Sequence, residues 1–369
     1  MSAKATVRQV PFGPGRVLAV SDVHGNLPML RGALAAAGFT QSDTLVIVGD
    51  LVEKGPDSLG TLRYVMELSR RQRVYCVRGN CDDLVVEFAD GTWSGSPAFY
   101  RQYLRTWGER CLLLQMGRLA GLACRGEEDM PALRRAVCRN FAPELDFLRA
   151  MPVILEMPQY LFVHGGVPGE EGLEELDAWQ CMKNDGFLHR AGVFRRWCVV
   201  GHWPVMLYRT DLPCAAPIAD AGRRILSLDG GCSLTPDGQL NVAILPRRPE
   251  GEIPWVGFDR LPLVTALDAQ RPSGESVNVC FGRHQVEVLS RNGEFARCRH
   301  LESGRELDIL SDFLYEADGA TYTQDATDYR LAVEPGDTLS LVRRVRGGCL
   351  AKKNSVTGWY FGRFRENQA

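Results

Sequence analysis

The stretch Val17-Leu18-Ala19-Val20-Ser21-Asp22-Val23-His24-Gly25-Asn26, read together with Leu45-Val46-Ile47-Val48-Gly49-Asp50-Leu51-Val52-Glu53, decides the fold. Each segment opens with a short apolar run of buried-strand character. Each then stops at an oxygen or imidazole donor followed by glycine or other small residues, and a helical pattern comes next. In α/β proteins the crevice outside the carboxyl ends of the strands is where sites are mounted. The punctuation recurs: Val74–Val77 leads into Arg78-Gly79-Asn80-Cys81-Asp82, Tyr160–Val163 into His164-Gly165-Gly166, and Trp197–Val200 into Gly201-His202. Five strands thus deliver Asp22, His24, Asp50, Asn80, His164 and His202 to one sheet edge. Oxygen donors mixed with imidazoles suit Mn, Fe or Zn better than Mg or Ca. Six donors exceed the needs of one tetrahedral ion, so the pattern predicts two divalent cations, Mn foremost, with Asp50 as the bridge.

The order D-x-H, G-D, G-N, H-G, G-H resembles the calcineurin-like metallophosphoesterase superfamily over roughly residues 16 to 245. Gly49-Asp50-Leu51-Val52-Glu53-Lys54-Gly55-Pro56-Asp57-Ser58 and Arg78-Gly79-Asn80 are similar to the strings of its serine/threonine phosphatase branch and of the related bacterial diadenosine tetraphosphatases. The resemblance implies an α/β fold, a β-sandwich flanked by helices. It assigns Asp22, His24 and Asp50 to one metal and Asp50, Asn80, His164 and His202 to the other. It implies in-line attack on phosphorus by a hydroxide bridging the metals, with Arg78 and Lys54 clamping the phosphate and Asn80 also contacting substrate.

This chain departs from the family pattern in three places. Glu53 and Lys54 stand where that branch has aspartate and arginine, which keeps the charges and loses the bidentate fork of arginine. Cys81 stands where the family has the histidine that protonates the leaving group. A thiol is a poorer acid than imidazolium at neutral pH, which leaves Asp82 or a metal-bound water as the candidate donor, or a preference for leaving groups that need little protonation, such as aryl phosphates and nucleoside polyphosphates. Three functions follow: a phosphomonoesterase of the protein phosphatase type, placed first; a nucleoside polyphosphate or phosphodiester hydrolase; and a weakly catalytic binding scaffold on the same fold.

Composition bounds the rest. The 369 residues, 45% hydrophobic and 24% charged, suit a soluble globular protein of two or more domains. A net charge of −2 gives no reason to expect a nucleic acid partner. Neither a signal-peptide core at the start nor an apolar run of membrane-spanning length is present. Twelve scattered cysteines without a C-x-x-C pair read as reduced and mostly buried, which places the protein in the cytoplasm.

Residues 1–15 read as a loop-like leader, and residues 1–245 as the catalytic domain, with a helical cap at about 84–157 carrying Tyr103, Trp107, Leu133 and Leu145 on its apolar faces. His189, with no strand ahead of it, reads as a surface or packing residue. Asp229, ending a sixth strand in Asp229-Gly230-Gly231-Cys232, is either a turn residue or an orienter of a ligand imidazole. Pro246–Glu252 reads as a linker. Residues 246–369 turn β-rich, with a hairpin signal at Arg291-Asn292-Gly293-Glu294 and segments at 336–342 and 358–362 that resemble paired strands of an SH3-like barrel. This region is expected to bind a protein partner or to pack on the catalytic domain. The basic group Arg343, Arg344, Arg346, Lys352 and Lys353 reads chiefly as protection of an exposed hairpin. The substrate expected of the whole is a phosphoprotein or a nucleotide.

Overall fold

The computed structural model describes residues 3–92, 97–124 and 126–367; the parts of the expected leader, cap and C-terminal region at 1–2, 93–96, 125 and 368–369 lie outside them. Two compact units emerge, the first from Met1–Trp203, Pro217–Leu234 and Leu240–Phe258, the second from Pro204–Ala216, Thr235–Gln239 and Asp259–Ala369.

The first unit runs β1 (Val7–Gln9), β2 (Val17–Val20), α1 (Leu27–Ala36), β3 (Thr44–Val48), α2 (Ser58–Arg71), β4 (Arg73–Val77), α3 (Asn80–Asp90), α4 (Pro97–Trp107), α5 (Leu112–Leu119), α6 (Met130–Asn140) and α7 (Ala142–Arg149). It continues through β5 (Ile154–Met157), β6 (Tyr160–Val163), α8 (Ala178–Met182), β7 (Trp197–Val200), β8 (Ile218–Asp220), β9 (Ile225–Ser227), β10 (Leu240–Leu245) and β11 (Trp255–Phe258). Its strands form two sheets, one ordered β1-β5-β6-β7-β9-β8 and the other β11-β10-β2-β3-β4.

Alternation along β2 and β3 explains the layering, because successive side chains of a strand point to opposite faces. Val17, Ala19, Val46 and Val48 pack with Leu155, Phe162, Val199 and Leu226 of the other sheet. Leu18, Val20, Leu45 and Ile47 pack outward against Leu30 of α1, Leu62 of α2 and the cap residues Leu112, Leu133 and Leu145. Both faces are covered, so the strands read as unbroken apolar runs. The parallel neighbours β2, β3 and β4 put their carboxyl ends on one edge.

The leader is not wholly loop: Val7–Gln9 pairs in parallel with Ile154–Glu156, an edge contact that only the distant β5 makes possible. Beyond the expected linker, Trp255–Phe258 adds to the sandwich against β10, and Phe258 packs so closely on Gly32 of α1 that a Cβ there would lie 2.1 Å from its ring.

The second unit contains β12 (Leu263–Ala266), β13 (Asn278–Val279), β14 (Val286–Asn292), β15 (Phe295–His300), β16 (Glu306–Leu310), β17 (Leu314–Ala317), β18 (Ala320–Thr323), β19 (Ala326–Thr327), β20 (Thr338–Val345), β21 (Gly348–Lys353), β22 (Val356–Tyr360) and β23 (Phe364–Glu366). They make an antiparallel five-stranded sheet, β22-β21-β20-β12-β23, and small sheets β14-β15-β16, β17-β18 and β13-β19. The hairpin expected at Arg291–Glu294 joins β14 to β15. The segments expected to pair, at 336–342 and 358–362, do not meet directly; β21 lies between β20 and β22. Of the basic group, Arg343 pairs with Asp312, Arg344 with Glu366, Lys352 with Asp259 and Lys353 with Asp337. Salt bridges thus neutralise most of its charge. The twelve cysteines are free thiols, and among the described residues no helix is long and apolar enough to cross a membrane.

Candidate metal centre

The loops that follow β2 and β3 run side by side past the sheet edge. Asp22 donates its amide to the Gly49 carbonyl at 3.1 Å, His24 to the Asp50 carbonyl at 2.9 Å, and Gly25 to the Leu51 carbonyl at 2.9 Å. Holding that course puts Asp22, His24, Asp50, Glu53 and Lys54 at positive φ, between +48° and +72°, and His202, after β7, shares that conformation at +67°. Such a conformation costs a non-glycine residue free energy, and its clustering marks functional sites. Glycine is needed where these side chains crowd the backbone. A Cβ on Gly49, itself at φ +79°, would lie 2.4 Å from His164 Nδ1, and one on Gly201 would lie 2.2 Å from Asp22 Oδ2. The glycines before Asp50 and His202 are therefore conditions of convergence.

Two groups of donor atoms result, each with all its atoms within 4.8 Å of one another: Asp22, Asp50 and His164, and His24, Asp50 and Cys81. Asp50 belongs to both. His164 Nδ1 lies 2.9 Å from the Val48 carbonyl, so a proton on Nδ1 leaves Nε2 as the lone-pair nitrogen, and Nε2 is 3.3 Å from Asp50 Oδ1. His24 Nε2 stands 3.8 Å from both Asp22 Oδ1 and Asp50 Oδ2. Asp22 Oδ1, Asn80 Oδ1 and His164 Nε2 are buried without a hydrogen-bond partner. Unpaired buried polar atoms are costly, so a converging set of them points to ions.

Electrostatics agree with that fit. Asp22, Asp50, Glu53, Asp82 and Asp229 are all buried, and Lys54 is the ammonium that acts on several of them. Burial, then the charge of Asp229, pushes the Asp22 carboxyl well up. Burial works the same way on Asp50, but the His164 imidazole beside it holds that carboxyl well below the usual range. Burial would lower His164, yet Asp50 and Asp22 raise it to about 10. A cation held between those carboxylates would supply the same positive charge and displace the Nε2 proton, leaving the imidazole neutral as a ligand. His24 is brought down to about 3 by burial and then by Lys54, which keeps its imidazole neutral as a ligand must be.

His202 completes the arc through other contacts. Its amide donates to Asp22 Oδ2 at 3.0 Å and its ring stands 5.2 Å from that of His164. Its Nε2 lies 2.7 Å from Asp185 Oδ1 and 3.3 Å from Lys183 Nζ, so Asp185 and Lys183 fix the ring by the edge remote from its backbone. Sequence reasoning missed both residues, which sit in an irregular segment after α8 with no strand ahead of them.

Two expected roles are corrected. Arg78 does not present its guanidinium as a phosphate clamp: Nη1 donates to Asp83 at 3.1 Å and Nη2 to the Arg149 carbonyl at 2.5 Å, tying α3 to the end of α7. Asp82 is fully buried and accepts three backbone amides, Leu51 (3.0 Å) and Val52 (3.2 Å) on Oδ1 and Gly79 (2.9 Å) on Oδ2. It braces the loop after Asp50 against the start of α3, with no face left for a leaving group. Lys54 keeps its place beside the donors, with Nζ 5.8 Å from the centre of the Trp107 ring. Glu53 has a role the sequence did not disclose. It accepts from Leu112 N at 2.6 Å and Tyr103 Oη at 2.9 Å, fastening α4 and α5 to the loop, and burial pushes its carboxyl to about 7. Asp229 accepts from Gly231 N at 2.8 Å through Oδ1, a turn bond, while Oδ2 is buried without a partner.

Comparison with known proteins places this geometry. A 66-residue stretch is 48% identical to the symmetrical bis(5'-nucleosyl)-tetraphosphatase of Edwardsiella ictaluri (strain 93-146), covering 18% of this chain and 23% of the relative. A 164-residue alignment with the enzyme of the same name from Shewanella sp. (strain MR-7) is 32% identical and covers 42% of this chain and 46% of the relative. The chain therefore spans less than half the length of these curated relatives. A solved protein serine/threonine phosphatase from Saccharomyces cerevisiae aligns with a TM-score of 0.42 at 11% identity, over 70% of this chain and 85% of that one. The family model described as calcineurin-like phosphoesterase matches residues 15–208, more than half of the chain and every donor loop described above, and the protein belongs to that family.

Proposed function

We propose that this protein is a divalent-metal-dependent hydrolase of phosphoanhydrides and activated phosphoesters, with nucleoside polyphosphates as its substrate class. The observation that carries the reading is the pair of donor groups sharing Asp50, with buried and otherwise unpaired atoms on Asp22, Asn80 and His164. Asp22, His24, Asp50, Asn80, His164 and His202 would hold two cations, which when bound supply Lewis acidity toward phosphoryl oxygens and acidify water at neutral pH. Lys54 places an ammonium beside them for the non-bridging oxygens of the phosphoryl group. Glu53 holds the cap helices over that ammonium.

The leaving group selects between the two enzymatic readings. Burial, then the Asp50 carboxylate, pushes the Cys81 thiol well up, so it is a feeble proton donor. Asp82 is committed to backbone amides. A nucleotide leaves a phosphoanhydride without needing a proton, whereas an alkoxide from serine or threonine needs one. The names of the relatives, symmetrical bis(5'-nucleosyl)-tetraphosphatases, support the same substrate class. The phosphomonoesterase reading rests on the Lys54-Gly55-Pro56-Asp57-Ser58 string.

Diadenosine tetraphosphate, p-nitrophenyl phosphate, its bis ester and a phosphoserine peptide, assayed side by side with added Mn, separate the readings. The anhydride and the aryl ester are expected to turn over and the phosphoserine peptide to lag. Asp50→Asn is expected to abolish both full metal stoichiometry and turnover. Unchanged specific activity per folded molecule in that variant would overturn the reading.

A further inference from the structure

We infer that Cys81 is itself a metal ligand: its sulfur joins His24 and Asp50 around one cation and turns that position toward thiophilic metals such as Zn or Co. The inference rests on the metal centre proposed above and goes beyond it in assigning a donor and a selectivity.

The geometry starts from the end of β4, where Gly79 delivers Asn80 and Cys81 into the first turn of α3. The Cys81 amide donates to Asp50 Oδ1 at 2.9 Å, which pins the residue over the shared carboxylate. Its Sγ, His24 Nε2 or Nδ1, and an Asp50 oxygen lie within 4.8 Å of one another. A tetrahedral ion with sulfur at about 2.3 Å and nitrogen or oxygen at about 2.0–2.2 Å sets its ligand atoms roughly 3.3–3.7 Å apart. Small side-chain rotations therefore suffice. The unpaired Asp22 Oδ1 lies 3.8 Å from His24 Nε2 and offers a fourth donor. Among the described residues Cys81 is the one cysteine in such a group. Others, such as Cys76 and Cys232, are buried within an apolar cluster.

The chemistry balances simply. The thiolate, not the thiol, binds metal, so ligation breaks the S–H bond, forms the S–metal bond and releases one proton to solvent. A thiolate donor shifts preference away from Mn and Mg and toward Zn, Co and Fe. It also accounts for a cysteine where an acid is otherwise expected: a sulfur bound to metal has no proton to give.

Cobalt(II) is the probe, because a thiolate ligand gives an intense near-ultraviolet charge-transfer band that nitrogen and oxygen ligands do not. The full-length protein, stripped of metal and titrated with cobalt, is expected to develop that band. Cys81→Ser, a near-isosteric change, is expected to bind cobalt without it and to release one proton fewer on loading. The Zn-over-Mn preference should fall by roughly tenfold or more, about 1.4 kcal/mol per factor of ten. Cys81→Ala, checked for folding by circular dichroism, repeats the test should serine distort the turn. A band that survives in either folded variant, or cobalt bound to the wild type with no band, overturns the inference and leaves the metal centre standing. A wild type that binds no cobalt, zinc or manganese overturns both.

Discussion

Replacing Asp82 tests whether the residue is a brace or an acid, and the structure sets the size of the effect. Its carboxylate accepts the amides of Leu51, Val52 and Gly79 at 3.0, 3.2 and 2.9 Å in a fully buried setting. In Asp82→Asn one acceptor oxygen becomes an NH2 group, so at least one buried amide faces a donor. Burial, then the Asp50 carboxylate, raises the Asp82 carboxyl to about 7, so the cost is set by the unsatisfied buried amide alone, about 1–3 kcal/mol. Asp82→Ala orphans all three amides and should cost roughly 3–6 kcal/mol, a large share of the 5–15 kcal/mol typical of a folded domain. Urea unfolding of the metal-free protein measures both, and metal stoichiometry should fall with them because the braced loop carries Asp50. The reasoning fails if Asp82→Asn unfolds within about 0.5 kcal/mol of wild type while the alkaline limb of the pH–rate profile disappears. That result would make Asp82 the proton donor.

Asp185→Ala removes the carboxylate at His202 Nε2, and Mn affinity measured by calorimetry should fall roughly 10–100-fold, the usual cost of losing a ligand-orienting partner; Asp185→Asn keeps an acceptor and should recover most of it. Lys54→Met keeps the stem against Trp107 and removes the charge, so kcat/KM for a nucleoside polyphosphate should drop about 10–100-fold while metal stoichiometry holds. Asp43 supplies the pH dependence. Burial would raise its carboxyl, but Arg16 and the Thr40 and Arg16 amides bring it down to about 2. A folded pKa below the unfolded value near 3.9 gives stability that is complete above about pH 4 and lost as the pH falls through 2. Unfolding free energy between pH 5 and pH 2 should therefore include a loss on the order of 1–2 kcal/mol that Asp43→Asn lacks.

What the sequence disclosed and what it hid divide along a physical line. Asp22, His24, Asp50, Asn80, His164 and His202, the donors proposed here, could be picked out because each ends or follows a buried strand; the single sheet edge expected for them is two, since Asp22, His24, Asp50 and Asn80 follow strands of one sheet and His164 and His202 follow β6 and β7 of the other. Asp50, proposed as the shared donor, belongs to both donor groups because β3 lies between β2 and β4. The misread residues have partners that local pattern cannot reveal. Arg78 sits inside a motif string, yet its role is set by a carbonyl at Arg149, 71 residues away. Glu53 looked like a conservative exchange until Tyr103 and Leu112 of the cap closed on it.

The same holds for architecture. The apolar runs announced the sandwich, but β1 is a strand only because β5 passes beside it, and Pro204–Ala216, beginning two residues after His202, belongs to the second unit. Cys81 stands on both sides of the line. Its identity marked it as a departure from the family pattern, and only its convergence with His24 and Asp50 turns the loss of an acid into a reason for a sulfur. A site whose proton donor has become a donor to metal must then depend on leaving groups that depart as stable anions, so the choice of substrate and the choice of ion become one constraint.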